Sequence, residues 1–256
     1  MRNLDILTLR RLIWGRDHLV LDGWSDRRIG RDVSEGRLQR LRRGAYISGA
    51  EWQDLWPESR HLAHVVAVND GARVRPVFAL TSAAALHGLA LHRVIVERVH
   101  TVHPDVARRT ADPTIRHRAT IDDSDVVDVA GILCTSLERT IYDLARLVSA
   151  EVALASADAA LARIGGDPRD YDERAADEWL AAIGVRLDTN AGARGIRHAP
   201  RRWAIAIAAR VGDQAPITAA GIQSTSSAGA GCGADWWLVL DGRRTRRGRR
   251  LLRVRR

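Results

Sequence analysis

One segment, residues 23–47, constrains the fold more than any other part of the chain; its sequence is GWSDRRIGRDVSEGRLQRLRRGAYI. Ser25 is a predicted helix N-cap, and Asp26 follows in the first turn, where the helix dipole favours a negative charge. Gly36 ends the predicted helix, because glycine readily adopts the left-handed backbone found where helices stop. The segment therefore begins with a short helix that is delimited at both ends.

Arginines occupy the faces of this helix that lie away from its apolar positions. Ile29 and Val33 are four residues apart and face one way. Three arginines project from the other faces: Arg27, Arg28 and Arg31. A short helix with this distribution is suited to lie in a DNA groove.

Two further helices are predicted before this one. Near the start, apolar residues recur at mostly helical spacing, at Leu4, Leu7, Leu9, Leu12 and Ile13. The segment RDHLVLDG predicts a second short helix that ends at Gly23. The order is helix, helix, tight turn, helix, which is typical of a helix-turn-helix.

A basic hairpin follows the third helix. The stretch RLQRLRRGAYI predicts two strands joined at Arg42, Arg43 and Gly44, where glycine can take a positive φ. Because an isolated hairpin is only marginally stable, we expect its apolar residues, Leu38, Leu41, Tyr46 and Ile47, to pack on the helices. The arginines would then face solvent or phosphate, as in the wing of a winged helix-turn-helix over residues 1–50.

A plainer interpretation of these arginines stays open. The chain has no lysine and is rich in Ala, Gly, Arg and Val, as expected for a bacterial gene of high GC content. Every surface cation is therefore an arginine, and an arginine-rich hairpin can simply be a solvated face. On this alternative the chain is an α+β protein that does not distinguish promoter DNA from random DNA.

The charge is unevenly distributed along the chain. The formal net charge is +9, but residues 191–256 have a net charge of +11 and residues 1–190 a net charge of −2. No signal peptide and no apolar run long enough to span a membrane are predicted. Cys134 and Cys232 form no Cys-x-x-Cys motif, so we expect free thiols in a cytoplasmic protein rather than a zinc site.

Residues 58–190 are predicted to form a small mixed α+β domain, after a linker around residues 52–57. Its expected elements are a helix over SRHLAHVVAVNDG capped by Ser59, and a strand followed by a helix over FALTSAAALHGL, capped at Thr81 or Ser82. Four strands are expected in VIVERVHTVH, TIRHRAT, DVVDVAG and ILCT. Thr135 and Glu138 form a predicted capping box at the start of the next helix, and another helix follows over residues 150–164.

No catalytic or metal site is predicted in this domain. Arg139 and Asp143 have the spacing of a surface ion pair on a helix. His100 and His103 would point to opposite faces of a strand, and no acidic residue or cysteine completes a ligand set with the pair formed by His61 and His64. His87, at the end of a helix, is expected to hydrogen-bond locally. We therefore expect a protein that is not an enzyme and needs no cofactor.

The winged-helix segment resembles the N-terminal domain of the AbiEi-type antitoxins of type IV toxin-antitoxin systems, which are common in actinobacteria. The blocks LTSAAALHGLAL (residues 80–91) and GILCTSLERTIYDLAR (residues 131–146) are similar to two recurring blocks of these proteins. The resemblance implies a DNA-binding antitoxin that represses transcription of its own operon. It also implies a nucleotidyltransferase-like toxin encoded nearby, which the antitoxin counteracts without binding it stably.

The resemblance places DNA contacts on the third helix and on the wing. On the helix these are Ser25, Arg27, Arg28 and Arg31. On the wing they are Arg37, Arg40, Arg42, Arg43 and Gly44. Together they form the predicted interface with double-stranded operator DNA.

The remainder, residues 191–256, is a low-complexity basic tail that we expect to be disordered. Many relatives end instead in a domain that resembles very-short-patch-repair endonucleases. Asp235 and Asp241 flank the strand-like WWLVL, but without partner carboxylates they are too few to position Mg²⁺ and water. An endonuclease-like protein or its decayed remnant is therefore the alternative function. A frameshifted, non-native tail beginning near residue 200 is our hypothesis for this departure from the family pattern.

Overall fold

The computed structural model describes residues 3–89, 91, 98–103, 114–167 and 169–190. The chain divides into two compact units, Met1–Thr140 and Ile141–Arg256. Helices and two small sheets confirm the predicted α+β class. The predicted boundaries at residues 50, 58 and 190 stay predictions, and the basic tail, residues 191–256, lies outside the described residues.

The first unit begins with a winged helix-turn-helix. Its elements are α1 (Ile6–Leu12), β1 (Trp14–Gly15), α2 (Arg16–Leu21), α3 (Asp26–Ser34), β2 (Leu38–Arg42) and β3 (Ala45–Ser48). The three strands form an antiparallel sheet in the order β1-β3-β2. The helix-turn-helix consists of α2 and α3, and β2 and β3 form the wing.

The hairpin is held by the apolar residues that the sequence predicted. Leu38 and Tyr46 pack with Leu19 and Ile29 of the two helices in one buried cluster. Leu41 and Ile47 of the wing belong instead to the main core of the unit, described below. The prediction that the wing packs on the helices is therefore confirmed.

The first helix uses a narrower apolar face than predicted. Ile6 and Leu9 are buried, whereas the Leu7 residue between them is 56% exposed. Positions three apart share a helix face and adjacent positions do not, so Leu7 points away from the core. Asp5 accepts a hydrogen bond from the Thr8 N–H and caps this helix.

The predicted linker around residues 52–57 is largely helical. Helix α4 spans Gly49–Asp54, and α5 spans Pro57–Asp70. Proline is favoured in the first turn because it has no N–H to satisfy there and its φ already suits the helix. Ser59 is therefore inside α5 and is not its cap; its hydroxyl accepts a hydrogen bond from the Leu4 N–H at 3.0 Å.

A second sheet of five strands packs on α5 and α6 (Leu80–Leu86). It consists of β4 (Val77–Phe78), β5 (Val99–His103), β6 (Thr114–Arg118), β7 (Val126–Val129) and β8 (Ile132–Thr135). The order is β6-β5-β4-β8-β7, with parallel pairs β5–β6 and β4–β8. The described strands thus lie within the four segments predicted to be strands, plus the short strand before α6.

Two helix caps in this region differ from the predictions. Helix α6 has Ala79 at its N-cap, and both predicted caps, Thr81 and Ser82, are buried within the helix. Helix α7 (Leu137–Leu147) is capped by Ser136, whose hydroxyl accepts a hydrogen bond from the Arg139 N–H at 3.2 Å. The local sequence does not show which of several adjacent residues is the N-cap, because that depends on which hydroxyl groups the sheet and core bury.

The main core of the first unit lies between the winged helix, α5 and the five-stranded sheet. It includes Leu9 of α1, Ile47 of the wing, Val65 of α5 and the sheet residues Phe78 and Ile132, all at most 1% exposed. Residues on both sides of position 50 therefore share one apolar core.

The second unit contains two long helices, α8 (Ala150–Gly165) and α9 (Glu173–Thr189), which pack together. Buried alanines, including Ala153, Ala157 and Ala160, line the inner side of α8 and permit close approach. Between the helices, Gly165 lies against the Tyr171 ring, where a Cβ atom would come within 2.0 Å of the ring.

We expect Asp158 of α8 to make folding pH-dependent. Burial raises the pKa of its carboxyl to about 7, whereas an unfolded aspartate has a pKa near 3.8. Stability should therefore fall as the pH rises from about 4 through about 7, because the folded state must then hold a poorly hydrated charge. Asp158→Asn should raise the free energy of unfolding at pH 8 by roughly 1–3 kcal/mol, allowing for partial exposure, with little change at pH 4.

Urea denaturation from pH 4 to pH 8 measures this difference. Asp170→Asn removes an exposed carboxylate from the same part of the chain and controls for the loss of a charge. A constant difference between Asp158→Asn and the wild type across this range would contradict the expectation.

Candidate nucleic-acid interface

Helix α3 begins as the sequence predicted. The Ser25 hydroxyl accepts a hydrogen bond from the Arg28 N–H at 3.2 Å. Gly23 and Gly36, before and after the helix, have φ angles of +81° and +72°. Arg16 donates two hydrogen bonds to Asp26, at 2.8 and 2.6 Å, and this pairing lowers the pKa of the Asp26 carboxyl. The start of α3 is thus joined to the start of α2.

The arginines of α3 lie on its exposed side. Ile29 is 4% exposed and faces the core, whereas Arg27, Arg28 and Arg31 are all exposed. The Arg28 guanidinium stacks over the Trp24 ring, 3.8 Å from its centroid. Arginine over an aromatic face is favourable and restricts the side chain. The helix therefore presents cations away from the core, one of them held by stacking.

One acidic side chain lies among these arginines. Asp32 is 4% exposed, and Arg37 donates a hydrogen bond to it from Nε at 3.0 Å and a second from Nη2. The Nε atoms of Arg28 and Arg31 lie 3.7 and 3.9 Å from its carboxylate oxygens. Hydrogen bonding from Arg37, followed by the positive charges around it, lowers the pKa of Asp32. Arg37 also pairs with Glu35.

The wing carries two exposed arginines, Arg40 within β2 and Arg43 in the turn. Gly44 has a φ of +81°, as the predicted turn requires, and its carbonyl accepts a hydrogen bond from the Arg16 N–H at 2.8 Å. The register between β2 and β3 shifts between Arg40 and Arg42, as in a β-bulge. The turn is therefore tied to α2 as well as to its own strands.

Arg42 is directed toward the protein. It is half-buried, and its Nη1 donates to the carbonyl oxygens of Ala67 at 3.3 Å and Val68 at 3.1 Å, in the last turn of α5. Carbonyls at a helix C-terminus lack helical partners and attract cations. Gly71 permits the approach, since a Cβ atom there would lie 2.7 Å from Nη1. Direct DNA contact by Arg42 stays a prediction.

Arg139 and Asp143 differ from the surface pair that their spacing predicted. Both are buried, at 8% and 6% exposure, and Arg139 donates to Asp125 at 2.9 Å. The helical spacing correctly placed the two charges on one face of the helix. It did not indicate that this face is buried. These residues belong to the interior of the fold.

The histidines make structural contacts. His87 donates its Nε2–H to the Thr135 carbonyl oxygen at 2.8 Å, so Nε2 carries the proton. This bond joins α6 to the end of β8, 48 residues away, and is not the local bond predicted. His100 and His117 stack on neighbouring strands with Nδ1 and Nε2 2.8 Å apart, and burial lowers the pKa of His100 to about 4.

Metal-ligand sets are absent from the described residues: they contain no group of three or more His, Cys, Asp or Glu that could hold an ion. Cys134 is buried, which raises the pKa of its thiol to about 12. No helix in the described part of the chain is long and apolar enough to cross a membrane.

Two residues of the candidate interface, Trp24 and Asp32, were not identified from the sequence. A signal for Asp32 was present, because it follows Ile29 by three positions and precedes Val33, on the buried side of the helix. Trp24 lies four residues before Arg28, a spacing that brings a ring and a guanidinium together at the start of a helix.

The fold and the arrangement of arginines define a winged helix-turn-helix protein with an α+β region after the wing. A family model for the AbiEi antitoxin C-terminal domain matches residues 77–189. This part of the chain is therefore similar to the C-terminal domain of AbiEi antitoxins, and the match supports an antitoxin of the AbiEi type. The match begins at β4 and ends with α9, so it follows the winged helix. A search of curated proteins returned no match.

Proposed function

We propose that the protein is a cytoplasmic antitoxin of a type IV toxin-antitoxin operon that binds its own operator and represses transcription. The observation that carries this proposal is the capped helix α3, whose exposed arginines adjoin a basic wing. The antitoxin domain over residues 77–189 supplies the toxin-antitoxin context. Helix α3 would enter the major groove, and the wing would lie along the phosphate backbone.

The contacts of the predicted residues divide them into two groups. We propose that Arg27, Arg31, Arg40 and Arg43 contact DNA directly, because these exposed guanidinium groups lie on α3 and at the wing. Arg37 and Arg42 would act mainly by holding the wing on α3 and α5, since both already donate to groups within the protein. Ser25 and Gly44 set the start of the helix and the turn, and Arg28 is held by Trp24.

Fluorescence anisotropy with the full chain tests the proposal. The probes are duplex DNA from upstream of its own gene and a shuffled duplex of equal composition, with excess unrelated DNA to absorb binding by the basic tail. Preference for the upstream duplex at physiological salt is the expected result. Equal binding to both would contradict it and favour arginines that are merely a solvated face. Cleavage of either duplex upon addition of Mg²⁺ would favour the endonuclease alternative.

Wing arginines should contribute affinity without sequence preference. Arg40→Ala and Arg43→Ala should each weaken binding to both duplexes alike and reduce the slope of log Kd against log salt by about 0.9. Arg174→Ala, which removes an exposed arginine from the second unit, is the control for net charge. A slope unchanged from the wild type in both wing variants would place the wing outside the interface.

The proposed toxin is a nucleotidyltransferase-like protein encoded next to this gene. The antitoxin would counteract it functionally, without forming a stable complex. Co-expression with the neighbouring gene tests this directly: growth should be rescued by the wild type and equally by the wing variants, because repression and neutralisation would use different regions. Rescue lost in both wing variants would contradict that separation.

A further inference from the structure

Asp32 occupies an unusual position for a carboxylate in a basic interface. It lies on α3, the helix proposed to read DNA, but it is 4% exposed on the inner side. Its nearest partner, Arg37, immediately precedes strand β2 of the wing. The Arg37 carbonyl also accepts a hydrogen bond from the Gly49 N–H at 2.8 Å, just after the wing. Asp32 therefore connects the helix to the base of the wing.

The same carboxylate lies close to two arginines of the helix. Arg28 is held between the Trp24 ring and Asp32, while Arg31 approaches the other carboxylate oxygen. One negative charge is thus shared by three guanidinium groups. The charge-assisted hydrogen bonds hold Arg37, while Coulomb attraction across 3.7 and 3.9 Å draws Arg28 and Arg31 toward the same carboxylate. Its charge also reduces the attraction of this surface for phosphate of any sequence.

We propose that Asp32 is a positioning residue for DNA recognition, which orients Arg28 and Arg31 on α3 and fixes the wing through Arg37. By cancelling one positive charge it also limits binding to non-operator DNA. This inference rests on the proposed function. It assigns specificity to a residue that does not itself touch DNA.

Asp32→Asn in the full chain separates this role from a simple contribution to stability. Binding to the shuffled duplex should tighten about threefold and binding to the upstream duplex should weaken about fivefold, with a salt slope steeper by about one counterion. A merely structural role would weaken both together and leave the salt slope unchanged or shallower. Asp32→Glu, which keeps the charge, should restore most of the preference for upstream DNA.

Asp17→Asn is the matched control. Asp17 lies on α2, its side chain is 97% exposed, and one of its carboxylate oxygens lies 3.6 Å from Nη1 of the neighbouring Arg16. This variant makes the same change in net charge and should tighten binding to both duplexes equally. If Asp17→Asn lowers the preference as much as Asp32→Asn does, the proposed positioning role is wrong.

A measurement on the wild type does not depend on how the variants fold. In arginine-labelled protein, the Arg37 Nε–H should exchange with solvent at least about tenfold more slowly than that of exposed Arg43, because it is hydrogen-bonded to a buried carboxylate. Equal exchange rates would overturn the inference, even where upstream DNA is preferred. A wild type that shows slow Arg37 exchange but no preference between duplexes would overturn the proposed function, and the specificity role of Asp32 with it.

Discussion

Replacing Arg27 and Arg31 together with alanine should remove most of the preference for operator DNA. Both side chains extend from the exposed face of α3. Each good arginine–base contact discriminates by about 1–3 kcal/mol, so losing two should reduce the affinity ratio between upstream and shuffled duplexes by roughly 30-fold or more. Binding to shuffled DNA should weaken much less, because the wing still contacts phosphate.

The matched control for this variant removes two exposed arginines elsewhere. Arg169→Ala with Arg174→Ala changes the net charge equally and lies in the second unit. It should reduce binding to both duplexes slightly and leave their ratio unchanged. Should the two double variants behave alike in the anisotropy titration, α3 would not be the reading helix.

Gly49→Ala should unfold or severely destabilise the first unit. A Cβ atom at this position would lie 1.9 Å from the Gly36 carbonyl oxygen and 3.0 Å from its carbonyl carbon, both of which are backbone atoms. Backbone cannot move aside as a flexible side chain can, so the end of α3 and the end of the wing would have to separate. We expect a loss of roughly 3 kcal/mol or more in the free energy of unfolding.

Gly30→Ala, in the same part of the fold, should instead increase the free energy of unfolding. Gly30 is within α3, is exposed, and has no atom within 4 Å of the position of its Cβ. Alanine should stabilise the helix by roughly 0.5–1 kcal/mol. Thermal or urea denaturation of both variants measures the difference. A Gly49→Ala protein as stable as Gly30→Ala would show that the close approach to Gly36 is not required.

The winged helix could be predicted from the sequence because its signals are local. Ser25 caps α3 through a hydroxyl three residues from its partner, and Gly23, Gly36 and Gly44 adopt positive φ where each turn needs it. The spacing of apolar residues and the capping residues determine where such helices and turns begin and end, and both depend on only a few neighbouring residues. The same holds for the buried side of the hairpin, where Leu38 and Leu41 proved to be interior.

Contacts between distant residues could not be predicted in this way. Arg42 looked like any other wing arginine, yet its partners are carbonyls 25 and 26 residues away. Ser59 had the form of a cap, but its hydroxyl accepts a hydrogen bond from the Leu4 N–H, 55 residues away in the chain. Arg139 and Asp143 have the spacing of an exposed ion pair, but both are buried in the structure. In each case the contacting residue belongs to another element, so the sequence around the residue does not indicate the contact.

Attachment of the wing to α5 has a consequence for dissecting the protein. His64 hydrogen-bonds the Leu41 carbonyl at 3.0 Å, close to where Arg42 meets the end of α5, and Ile47 lies in the shared core. A fragment ending near residue 50 would expose this apolar surface and lose both anchors. We expect such a fragment to aggregate, so that operator recognition can be transplanted into another protein only together with α5 and the sheet beneath it.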